Sequence, residues 1–291
     1  MHCISPCLPG LPAVTVCGPS LVEAAGHAVT VGEVIDDLTM RFLDLADRAI
    51  PGYVRGLYVV GSAALGAWQP GVSDVDVVIL TSRPAGLADL NQLRAVHAEM
   101  PELPHLDGVY LDPALAQVWP VDQRPAPFVV DGQFSSGEPC GELTPVLWLT
   151  LRRYGIRVRG PEVPELGVRV DLEQLRRYNL ENLRGYWRGT AATLSATLAD
   201  VPGDQAVDAG TVVWCVLGPA RLHYTLAHVD VISKAAAGAY LGELFPEYAD
   251  LARRAVRWRA GEPERFTAAD LALAGRSVDA VADDAWRRFG D

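Results

Sequence analysis

GSAALGAWQPGVSDVDVVIL, residues 61–80, decides how the chain is read. The run GLYVV (56–60) before it reads as a buried strand, and Gly61-Ser62 turns the chain at its end. A short helix follows to about Trp68 and is broken by Pro70-Gly71. DVDVVILT (74–81) is then a second strand. Side chains at i and i+2 share a strand face, so Asp74 and Asp76 point the same way. A tight turn leading into a helix can cradle phosphate with backbone N–H groups, Ser62 adds a hydroxyl donor, and Gly61 allows close approach. Two carboxylates on one face can bind magnesium through oxygen. A phosphate turn and a metal pair so near one another point to nucleotide chemistry.

Working outward, TVGE (30–33) is a capping box that opens a helix, with Val34, Ile35, Leu38, Phe42 and Leu45 at helical spacing, ending near Ile50. Leu87 to Met100 reads as a helix with Leu87, Leu90, Leu93 and Val96 on one side. LDGVYL (106–111) is a third strand. A strand–helix–strand connection of that length returns the chain beside its predecessor, so Asp107 can face the same cleft as Asp74 and Asp76. A third carboxylate there can take the proton of an attacking hydroxyl. Residues 112–143 are rich in Pro and Gly, with a possible strand at Phe128–Val130. Glu138 and Glu142 stand in SGEPCGEL (136–143), a loop that can line a pocket, although a solvated loop is the plainer reading. A helix at 144–154 and a short strand in IRVRGPEV close this half. From Asp171 the texture turns helical: one helix from Asp171 to about Asp200, a second at Thr211–Val229 kinked near Pro219, a third capped by Ser233 and opened by Lys234, then 247–259 and 267–289. The expectation is an α+β fold: an arm (1–29), an α/β domain (30–162) and an all-helical bundle domain (163–291).

The composition narrows the partners. A net charge of −11 disfavours a nucleic acid and suits a small cationic substrate. No apolar run is long enough for a membrane span, and the N-terminus lacks the basic region of a signal peptide, so a cytoplasmic monomer is expected. The five cysteines show no zinc spacing and read as free thiols. All but one of the 25 basic residues are arginine; Lys234, the lone lysine, offers a compact point charge. His223 and His228 read as packed or surface histidines, and Trp214 and Trp258 can line a pocket between the halves.

The ordered set of strand, Gly61-Ser62, short helix, Asp74-x-Asp76 and an acid on a third strand resembles the nucleotidyltransferase superfamily with a DNA-polymerase-β-like fold. The second half, VVWCVLGPARLHYTLAHVDVISKAAAGAYLGELFP, is similar to the helical domain of aminoglycoside adenylyltransferases of the streptomycin/spectinomycin type, through Ala220, Arg221, Tyr224 and the I-S-K-x-x-A segment from Ile232. The resemblance implies transfer of AMP from ATP to a hydroxyl of an aminoglycoside or aminocyclitol, with release of pyrophosphate, as in antibiotic resistance. It implies that Gly61, Ser62 and Lys234 hold the nucleotide phosphates, that Asp74 and Asp76 bind magnesium, as two ions, and that Asp107 stands where the family has a glutamate base. The family's acidic drug contact maps to Thr211, with Asp208 nearby in a shifted register; its aromatic contact maps near Glu138, where no tryptophan stands. Glu138, Asp208 and Trp214 are the candidate substrate contacts. The alternatives are transfer to another metabolite or a protein hydroxyl, and a non-catalytic nucleotide- or drug-binding homologue.

Overall fold

The computed structural model describes residues 30–112 and 125–290, so the expected arm lies outside the described residues. Helix α1 (Val31–Ala49) starts with the reciprocal cap read from the sequence: Glu33 N–H donates to Thr30 Oγ1 at 3.3 Å, and Thr30 N–H donates to the Glu33 carboxylate at 2.6 Å. Its apolar stripe, with Leu38, Phe42 and Leu45 buried, packs against a six-stranded sheet.

The strands are β1 (Val54–Val59), β2 (Val75–Thr81), β3 (Leu106–Leu111), β4 (Phe128–Val130), β5 (Gln133–Ser135) and β6 (Ile156–Arg159), in the spatial order β5-β4-β3-β2-β1-β6. β2 and β3 are parallel, joined through helix α3 (Leu87–Ala98), and their register sets Asp76 opposite Asp107. The other neighbours are antiparallel. The helix after Gly61, α2, is a single turn (Gly61–Ala64) rather than a helix reaching Trp68. Trp68 is instead a buried clamp, its indole N–H donating to the Asp74 carbonyl at 3.1 Å, which fixes the loop that delivers Asp74 to the head of β2. Leu87 is 83% exposed, not on the packed side of α3, because the first turn is anchored by Asp89, which bonds the Arg83 guanidinium and the Gly86 N–H.

Opposite faces of the sheet carry separate cores. One holds Phe42, Leu57, Val77 and Tyr110; the other holds Tyr58, Val78 and Val109 against helix α4 (Pro145–Tyr154). The helical half has its own core, drawn from α5 (Leu172–Asn182), α6 (Arg188–Thr197), α7 (Ala209–His228), α8 (Lys234–Leu244), α9 (Ala249–Arg259) and α10 (Ala268–Phe289). A small cluster of Val146, Leu149, Leu175 and Val231 ties α4 to these helices. The single helix expected from Asp171 is interrupted by a π-helical turn, Leu183–Trp187. α7 begins earlier than expected, because Asp208 caps it through Thr211 N–H and Oγ1, both at 2.7 Å. Among the described residues no helix is long and apolar enough to cross a membrane.

The sheet core contains one titratable group with a consequence for stability. His97 is buried, stacked near Phe134, and 2.7 Å from the Tyr110 hydroxyl. Burial lowers its pKa to about 4, so the folded protein holds it neutral and the Tyr110 O–H donates to it. Protonation then favours the unfolded chain at any pH between the ordinary value near 6.5 and about 4. Stability is expected to fall by up to about 3 kcal/mol as the pH drops through that window. Urea titrations of the wild type and His97→Gln across pH 7 to 4 would show a smaller decline in the variant.

Candidate active site

Three strand ends and one helix start converge at the carboxylates. β1 ends at Val59, and two residues on, Gly61 opens α2 with a φ of 61°, which glycine adopts at little cost. A Cβ at this position would sit 1.8 Å from Asp76 Oδ2, so the backbone turn and the β2 carboxylate are in direct apposition. Gly61→Ala is therefore expected to displace Asp76, lowering turnover at least about a hundredfold while the melting temperature changes little, because the strain is local. Activity close to wild type would show that the apposition does not matter.

Asp74 and Asp76 are half-buried and line one cleft together with Ser62. Asp107 is buried, on β3. Its two oxygens accept from the backbone N–H groups of Asp131 and Gly132, at 2.8 and 3.0 Å. Those donors belong to the two-residue turn of the β4–β5 hairpin, where both residues have positive φ, as such turns require. Burial outweighs these bonds, and Asp74 and Asp76 add to it, so the Asp107 carboxyl is pushed up to about 6. Ligand atoms of Asp74, His105 and Asp107 lie within 4.8 Å of one another, a set that can hold a metal ion. His105 Nδ1 stands 3.6 Å from Asp74.

The cleft runs between the sheet-bearing and helical halves, with a volume of about 420 Å³. From the helical side, Arg221, Lys234 and Arg259 reach its walls. Lys234 is the first residue of α8, set by the Ser233 cap on Ala236 N–H at 3.1 Å. Arg221 is steadied by its Nε donating to the Ile232 carbonyl at 3.0 Å. Arg259 is held below its ordinary pKa by burial and by Arg221, while Asp74 pulls the other way. Three cations thus face the carboxylates across the cleft, an arrangement suited to a polyphosphate bridging the two.

Of the sequence candidates, the structure brings Gly61, Ser62, Asp74, Asp76, Asp107 and Lys234 into this region. Trp214 lies on an adjoining cavity, as does Trp258. Glu138 is exposed and lines none of the cavities around the carboxylates. Asp208 is exposed and engaged as a helix cap. His223 is fully buried between Tyr240 and Asp284, and His228 is exposed against Tyr224, in line with packing roles. Sequence reading gave no role to Arg259 or His105, and set Glu142 aside in favour of Glu138. Glu142 lines a small cavity with Gly61, Asp76 and Asp107, and burial, reinforced by Asp76 and Asp107, pushes its carboxyl up to about 8.

Residues 40–106 match the family model of the nucleotidyltransferase domain, which spans the Gly61 turn and the Asp74-x-Asp76 strand. The protein is an enzyme of the nucleotidyltransferase kind. No curated protein sequence matches the chain significantly. Among solved structures, it is similar to the spectinomycin adenyltransferase AAD(9) from Enterococcus faecialis, determined with ATP and spectinomycin, at a TM-score of 0.64 and 15% identity. The match covers 85% of this chain and 98% of that one. The two share one fold, an α+β nucleotidyltransferase domain with a helical C-terminal part.

Proposed function

We propose that the protein transfers AMP from ATP to a hydroxyl of a small molecule, releasing pyrophosphate. The observation that carries this reading is the opposition of carboxylates and cations across one cleft. Asp74 and Asp76 line it together with Arg221, Lys234 and Arg259, and Asp107 stands beside Asp76 on the small cavity behind them. Residues 30–162 then act as the nucleotidyltransferase domain and 163–291 as the helical domain that helps bind nucleotide and acceptor. An aminoglycoside or aminocyclitol is the acceptor that the sequence resemblance implies, and the spectinomycin in the similar adenyltransferase supports a small-molecule acceptor.

Asp74 and Asp76, which line the cleft together, would offer magnesium its oxygens, and Asp74 also shares a metal-capable group with His105 and Asp107. When bound, the metal supplies neutralisation of phosphate charge. The chain's own residues do the rest. Ser62 and the Gly61 turn receive phosphate oxygens, and Lys234, Arg221 and Arg259 attract the departing pyrophosphate. Asp107 accepts the proton as the acceptor oxygen bonds to the α-phosphorus and the bond to pyrophosphate breaks. Each Asp107 oxygen spends one lone pair on a backbone N–H and keeps another for this task. Incubation with ATP, magnesium and a panel of hydroxyl compounds, scored for pyrophosphate and for a mass gain of one AMP, tests the reading. Pyrophosphate release with no product gaining AMP from any acceptor would refute it.

A further inference from the structure

Beside the phosphate-facing cleft lies a second cavity of about 260 Å³, walled mainly by Trp187, Trp214, Trp258, Tyr178, Val213 and Leu217. The two cavities meet at Arg221, Lys234, Arg259 and Val72, which line both. A compound seated in the second cavity therefore ends against the groups that face the carboxylates. Its chemistry is unlike a polycation's. Among the described residues no aspartate or glutamate lines it, while three cations do. Asp208 stands beside the lining residue Gly210, and its carboxylate is engaged with Thr211. A polyamine seated here would lose water without an acidic residue in the wall itself to replace it.

The walls instead offer aromatic faces. Trp187 and Trp214 lie with ring centroids 4.4 Å apart, and Tyr186 packs edge-on against both. Trp187 is 4% exposed, and Asn182 is another lining residue. The π-helical turn that ends at Trp187 follows directly on Asn182, and such turns recur at functional sites. Gly218 lets the indole in: a Cβ there would stand 2.4 Å from the ring of Trp187.

We propose that this cavity is the acceptor subsite and that it takes a flat, aromatic, uncharged or anionic hydroxyl compound in place of an aminoglycoside. The inference rests on the proposed adenylyl transfer and names the acceptor class for that same site. The nucleotide has room in the neighbouring cleft, which has apolar walls of its own in Leu65, Trp68 and Val256.

The test begins with binding of 2-naphthol and 7-hydroxyflavone to the full-length protein by calorimetry, with and without ATP, and with spectinomycin and streptomycin as cationic counterparts. AMP transfer to all four is then followed by mass spectrometry in the presence of magnesium. Saturable binding of the aromatic probes is expected, weakened about tenfold or more by Trp214→Ala and largely kept by Trp214→Phe, and unaffected by ATP. The aromatic probes are expected to gain AMP and the cationic ones not. Adenylation of spectinomycin or streptomycin alone would overturn the acceptor class and leave the proposed function standing. Competition between ATP and the probes would also overturn it, by making the cavity the base subsite. Aromatic binding with no AMP gain from either panel would overturn it together with the proposed function.

Discussion

Asp76→Asn is expected to lower AMP transfer by about three orders of magnitude, with the fold intact. The side chain stands opposite Asp107 in the parallel β2–β3 register and closes against the Gly61 turn. Asparagine fills nearly the same volume, so packing in the sheet is preserved. What disappears is one of the two negative charges that the cleft presents alongside Ser62, and with it a carboxylate oxygen for magnesium. A carboxylate that served only to keep β2 soluble would change turnover by little. The measurement is pyrophosphate release at saturating ATP over a magnesium titration, beside a melting curve. Turnover close to wild type in Asp76→Asn would remove the residue from the metal assignment.

The second large effect is expected at Asp107. Asp107→Asn should lower turnover by about 10² to 10⁴, the usual range for a positioned base. The wild-type rate should also depend on pH in a defined direction. Burial raises the carboxyl to about 6, so below that pH it is protonated and cannot accept a proton. The rate is expected to rise as pH climbs through about 6 and then to level. A pH-independent rate between 5 and 7, or full turnover in the asparagine variant, would exclude Asp107 as the base. Glu142, raised to about 8 beside it, would then be the next carboxyl to test in the same cavity.

Sequence patterning reached the part of the site that lies on strands. Asp74-x-Asp76 and Asp107 follow from two-residue alternation and from the rule that a crossover returns a strand beside its neighbour. Ser233 and Asp171 were legible as caps because a hydroxyl or carboxylate before an apolar-periodic run has few other uses. Lys234 stood out by being the lone lysine, yet its place across the cleft came from resemblance, since no periodicity relates α8 to β2. Arg259 could not be singled out in a chain whose basic residues are nearly all arginine. Choosing Glu138 over Glu142 was a choice within a loop, where no spacing rule says which side chain turns inward. β5 was missed although Asp131-Gly132 is the pair a two-residue hairpin turn prefers; the surrounding Pro and Gly masked it. The π-helical turn has no residue-type signature, and the apolar spacing across it reads as ordinary helix.

That turn carries a consequence for how such a chain can change. A helix with a π turn holds one residue more than its regular path needs. Loss of a single codon within Leu183–Trp187 would let the path from α5 to α6 close as unbroken α-helix. The turn absorbs its extra residue, so after the deletion the segments on either side would keep their mutual orientation. Asn182 and Trp187, five apart across the turn, would stand four apart and still share a face. Elsewhere in these helices the same deletion would swing one segment against the other by about 100°. The turn is thus the place where the wall of the cavity can lose a residue while the carboxylates on β2 and β3 stay where they are.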